Sequence, residues 1–232
     1  MNPKPNNPEI PPSLPNVIWF PISSKKELNQ QIEALKSEGI SMLRLGINCA
    51  KFNTKKGLRW YNWLVPILAE DFELELCFDN FFHSPSPASQ HRKHSILEIV
   101  EHFILKHGKH FTLVELWRNP SIRAKDELPE NIFSEDVIFT ATWAKHHGKK
   151  ISLGGIQTID FEWITKLIST QFLNTCEYLK IDNETEDPWS TNTKFYERTL
   201  RSLFEAKGVK TQIINSAPTL ITLQPSNKEI AC

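Results

Sequence analysis

Phe111-Thr112-Leu113-Val114-Glu115-Leu116-Trp117-Arg118-Asn119-Pro120 decides the fold of this chain. The apolar run Phe111 to Val114 reads as a strand buried on both faces, and strands of that kind belong to parallel sheets covered by helices. The residues that follow, Glu115 to Pro120, stand at the carboxyl end of that strand, where α/β proteins gather their working side chains.

On either side of this strand the same alternation repeats. Upstream, Val17 to Ile22 reads as strand and Lys25 to Ser37 as helix, with Leu28, Ile32 and Leu35 at helical spacing. Gly39 stands where a glycine ends a helix. Strand Met42 to Ile47, a helix around Trp60 to Ala69, strand Leu74 to Phe78 and helix Ile96 to His107 complete the upstream half. Downstream, a helix from about Asp136 to His147 leads to strand Ile151 to Ile156. Helix Phe161 to Phe172 leads to strand Tyr178 to Ile181, and helix Lys194 to Ala206 to strand Thr211 to Ile214. A helix between each pair of apolar strands makes the strands parallel.

A closed barrel and an open doubly wound sheet both satisfy this pattern. The open sheet normally carries a glycine-rich turn after its first strand, and Phe20-Pro21-Ile22-Ser23-Ser24 has no glycine. The expectation is therefore an α/β chain folded as a (β/α)8 TIM barrel. Its eighth unit is short, because only Leu220 to Leu223 remains as a strand and Pro225 to Cys232 makes no closing helix. Residues 1–16 carry six prolines, which exclude helix, so they are expected to form an extended arm before a single barrel domain over 17–232.

Lys+Arg and Asp+Glu both number 27, so no global field favours nucleic acid or an anionic membrane. Polyanion binding needs a local patch. Cys49, Cys77, Cys176 and Cys232 form no C-x-x-C pair, which sets aside zinc-ribbon and thioredoxin-like readings and leaves buried thiols in a reducing compartment. With no apolar signal core and no membrane-length apolar run, the expected location is cytoplasmic. His83, His91 and His94 lie in a serine- and proline-rich basic stretch without a recognised ligand motif, so no metal and no cofactor is expected. His146 and His147 at a helix end suit the dipole and the last carbonyls.

The segment Glu115-Leu116-Trp117-Arg118-Asn119-Pro120 resembles the acid/base strand of the retaining TIM-barrel glycoside hydrolases, most closely the β-xylosidase-like ones, whose pattern is Glu-Leu-Trp-Asn-Glu-Pro. Leu43-Arg44-Leu45-Gly46-Ile47 is similar to their second strand, where an arginine lies beneath the sugar site. Leu153-Gly154-Gly155-Ile156 is similar to their fifth strand, and Trp143-Ala144-Lys145 to the approach to it. The resemblance implies a barrel with carbohydrate-related function, but both carboxylates that it calls for are absent. Asn119 occupies the acid/base position, and Asn215-Ser216 replaces the Thr-Glu pair that carries the nucleophile. Either course of glycoside hydrolysis needs two carboxyl groups.

The remaining carboxylates placed to face a barrel mouth are Asp79, Glu115, Asp182 and Glu184, the candidates for relocated chemistry. Ligand contacts are expected from Trp19, Arg44, Trp117, Arg118, Asn119, Gln157, Asn215 and Ser216. Arg44 either orients a ligand or forms a buried pair with Glu115. Arg118 suits an acidic sugar or a sugar nucleotide. Trp60, Trp63, Trp143 and Trp163 are expected to pack within helices. Three functions are consistent with this: a carbohydrate-binding or otherwise carbohydrate-active barrel without the standard pair, an enzyme using relocated acids on a sugar or sugar nucleotide, or an interaction module for a partner enzyme of polysaccharide biosynthesis; a homo-oligomer is a further option.

Overall fold

Leu28, Ile32 and Leu35, spaced four and three apart, are all buried, and this stripe sets the orientation of helix α1 (Lys25–Ser37) against the sheet. The helix ends as its sequence predicts: Gly39 takes φ +73°, its N–H donates to the Lys36 carbonyl, and the Ile40 N–H donates to the Leu35 carbonyl. That is a Schellman closure. It turns the chain directly into strand β2 (Met42–Asn48).

The computed structural model describes residues 18–19, 24–79, 95–116, 130–156, 161–182 and 190–216. Before α1 lies β1 (Ile18–Trp19), and after β2 come α2 (Cys49–Phe52), α3 (Lys55–Leu68) and β3 (Glu73–Asp79). Helix α4 (Ile96–His107) leads to β4 (Phe111–Leu116), α5 (Glu130–His146) to β5 (Lys150–Ile156), α6 (Phe161–Ser169) to β6 (Tyr178–Asp182), and α7 (Ser190–Lys207) to β7 (Gln212–Ser216). The arm over 1–16, the strand expected at Leu220 to Leu223 and the segment Pro225 to Cys232 lie outside the described residues.

Local chemistry moves several boundaries from their expected places. Helix α3 begins at Lys55, well before Trp60, because Thr54 caps it: its Oγ1 accepts from the Gly57 N–H at 2.9 Å. The stretch expected as one helix over 161–172 divides, because Gln171 adopts φ 57° and a separate 3-10 turn, Phe172–Thr175, follows. Helix α5 starts six residues earlier than expected.

The seven strands are parallel and lie in the order β1-β2-β3-β4-β5-β6-β7. An open doubly wound sheet reverses its strand order at a switch point; this order has no reversal. The sheet also curls. Positions on β3 and β6 of a flat sheet would stand three strand spacings apart, ~14 Å, yet Lys180 Nζ on β6 lies 2.7 Å from Glu75 Oε2 on β3. The fold is thus an α/β parallel sheet with helix between successive strands, curved so that side chains of distant strands meet on its concave face.

Continuous apolar strands were expected, but the strands alternate. Leu43, Leu45, Leu74, Leu76, Phe78, Leu179 and Ile181 are buried in the main core, and Phe78 meets Phe103 of α4 edge-on at 5.4 Å. Interleaved with them, on the opposite face by the two-residue period, are Arg44, Glu75, Cys77 and Lys180. The apolar face lies under the helices, and the charged face lines the inside of the curve.

Candidate functional site

Four charges are sealed inside the curve. Arg44 is 1% exposed, Glu75 2%, Glu115 0% and Lys180 1%. Arg44 grips Glu115 with both ends of its fork: Nε donates to Oε2 at 2.7 Å and Nη2 donates to Oε1. Lys180 Nζ donates to Glu75 Oε2 at 2.7 Å and lies 3.2 Å from Glu115 Oε2. The Cys77 thiol donates to Glu115 Oε1 at 3.6 Å. Among the described residues, two cations and two carboxylates therefore share one enclosure and their formal charges cancel, the condition under which buried ions are tolerated.

This network dictates the glycine in β5. A Cβ at position 154 would run into the Glu115 carboxylate, so Gly154 is the residue type that lets β5 pass over Glu115.

Burial alone would push the Glu115 carboxyl upward, but Arg44 and Lys180 outweigh it and hold the pKa down at about 2. Glu75 goes the other way, because its burial exceeds the attraction of Lys180 and raises its pKa above the ordinary carboxylate value. At neutral pH Glu115 is an enclosed carboxylate with no proton to give.

At the carboxyl edge, β2 ends at Asn48 in register with Asp79 at the end of β3, and β6 ends at Asp182 in register with Ser216 of β7. Asn215 precedes Ser216 on β7 and is in register with Ile181. The backbone thus brings Asp79, Asp182, Asn215 and Ser216 to the edge predicted for them. Glu115 and Arg44 belong to the enclosed network, where the buried pair anticipated between them is present. Trp19 is 2% exposed and packs in the core. Trp117, Arg118, Asn119, Gln157 and Glu184 lie outside the described residues, as do His83, His91, His94 and Cys232.

Further residues singled out in the sequence lie within the described structure. The thiols of Cys49, Cys77 and Cys176 are buried, and burial raises the Cys176 thiol far above its ordinary pKa. The Nδ1 of His147 donates to the Trp143 carbonyl at 2.9 Å, and its ring stacks on Trp143. No group of His, Cys, Asp and Glu among the described residues could hold a metal ion. No helix among them is long and apolar enough to cross a membrane.

Sequence reasoning missed Glu75 and Lys180. Their signal was a single charge flanked by apolar residues, Leu74-Glu75-Leu76 and Leu179-Lys180-Ile181, on two strands that the curl brings together.

No family model matches the chain, and no curated protein matches it in sequence. Among solved structures it is similar to the GH99 endo-alpha-mannosidase from Bacteroides thetaiotaomicron, with 10% sequence identity and a TM-score of 0.48. The match covers 83% of this chain and 53% of that one, so the chain spans about half the length of that protein. A likeness this distant says nothing about activity.

Proposed function

We propose that this chain is a (β/α)8 barrel of glycoside-hydrolase ancestry, with a short eighth unit, that binds carbohydrate at the carboxyl edge of its strands and lacks the standard catalytic pair. The observation that carries the reading is the state of Glu115, the carboxylate nearest to Asn119 in the sequence. It is sealed, gripped by Arg44 and held ionised down to about pH 2, so it cannot replace the acid missing at position 119. A general acid needs a pKa near the working pH and a path to the leaving group. The sealed network instead makes a rigid, neutral floor beneath the strand ends, and contact with a sugar falls to the edge positions Asn215 and Ser216 and to Trp117, Arg118, Asn119 and Gln157.

Titration of the protein with neutral sugars, uronic acids and sugar nucleotides tests this. At least one of these ligands is expected to raise the melting temperature by mass action, and aryl β-glycosides are expected to remain uncleaved. Turnover of aryl glycosides at ordinary enzymatic rates would overturn the reading.

One observation favours a second reading, an enzyme with relocated acids. The contact of Glu75 with Lys180 brings β3 and β6 face to face across the curve. Asp79 lies four positions beyond Glu75, and Asp182 two beyond Lys180. Two carboxylates on facing strands could divide acid and base roles between them. If so, activity on a sugar or sugar-nucleotide substrate would vanish in Asp79→Asn or Asp182→Asn and survive in Asn119→Ala.

A further inference from the structure

The first turn of α1, the short α2 and α3 as far as Trp63 enclose a surface cavity of about 220 Å³. It is lined by Lys25, Lys51, Lys56, Arg59, Trp60 and Trp63. Four cations and two indoles make this wall, and no carboxylate is among the described residues lining it. In a chain whose charges balance at 27 and 27, that is a concentrated local excess.

The indoles hold the cations in place. Lys25 Nζ sits 4.3 Å from the centre of the Trp63 ring, and Lys51 Nζ sits 5.5 Å from that of Trp60. The two rings tilt against each other at 5.2 Å, so the two aromatic seats form one unit. Trp60 itself is only 9% exposed, and its Nε1 is buried without a hydrogen-bond partner.

We propose that this cavity is a binding site for a small oxyanion of the phosphate type, free or as the phosphoryl group of a small ester. Its volume suits one such group with a few attached atoms. Arg59 offers the planar fork that matches two phosphate oxygens, and the lysines act as point charges around it. The small enclosure and the absence of a net positive field exclude an extended nucleic acid as the natural occupant. Like-charge crowding is already felt: Lys51 has a pKa below the ordinary lysine value, first from burial and then from repulsion by Lys56. A bound anion relieves that repulsion. None of its lining residues is among those assigned above to sugar contact, so it stands or falls independently of the carbohydrate reading.

The test is calorimetric titration of the full chain with inorganic phosphate, against chloride at matched ionic strength. Saturable binding is expected, with affinity falling roughly tenfold or more when two of the four cations are removed in Lys56→Gln/Arg59→Gln. Both side chains are exposed, and an unchanged melting temperature for the variant without phosphate will show that the fold is intact. A second variant, Lys25→Gln, reports on the opposite wall and should weaken binding while leaving the melting temperature in place. Absence of saturable binding at ~10 mM phosphate, or binding that these variants leave unaltered, would overturn the proposal.

Discussion

His107 shows how much a single residue's surroundings can change its chemistry. It is buried at the end of α4, where its Nε2 donates to Asn62 Oδ1 at 2.9 Å while His102 Nε2 donates to the same oxygen at 2.8 Å. Burial comes first, followed by the charges of His102, Lys106 and His110, and together they push its pKa from 6.5 to about 4. A folded-state pKa below the unfolded one means that the unfolded chain binds more protons between those values. The associated stability is present above pH 6.5 and drains away as pH falls toward 4. His107→Gln keeps a donor for Asn62 but cannot take up a proton. The wild type should therefore lose more stability than His107→Gln between pH ~7 and ~5, read as the shift of the urea midpoint at each pH. Equal losses in the two proteins would show that His107 does not titrate differently on folding.

At the scale of elements, one device recurs. Helices α1, α5 and α7 all end in a glycine at positive φ, Gly39, Gly148 and Gly208, and each is followed by a back-bond from the next residue into the last turn. This is why the ends of these helices were legible: a glycine after an amphipathic run carries its meaning locally. A Cβ at Gly39 would meet nothing within 4 Å, so replacement there isolates the backbone term. Gly39→Ala should cost ~1 kcal/mol in denaturant unfolding, and Gly39→Asn less, because asparagine tolerates the left-handed region. Helix starts were less legible. The early start of α3 depends on one hydroxyl, Thr54, whose capping role shows only once the turn is formed. The break at Gln171 has no glycine to announce it.

The whole molecule holds what no local window could reveal. The order of elements and their parallel pairing follow from alternating strand and helix patterns, and these were readable. The charges on the concave face were not, because Glu75 and Lys180 are 105 residues apart and each looks alone like a surface residue in a strand. Only curvature makes them partners, and once they are enclosed their energetics are no longer separable. Removing Lys180 leaves Glu75 buried without its cation, whereas removing both leaves the Arg44 and Glu115 pair balanced by itself. Breaking a buried pair from one side costs about 3–5 kcal/mol, while replacing both partners by apolar groups is often close to neutral. In a double-mutant cycle, Lys180→Met should thus be more destabilising than Glu75→Leu/Lys180→Met, with a coupling of ~1–3 kcal/mol by urea unfolding. The same cycle bears on the architecture, since additive effects would mean that β3 and β6 do not face each other across the curve. Coupling of the expected sign requires the two side chains to be in contact, and across three strand spacings that contact exists only in a sheet wound toward closure.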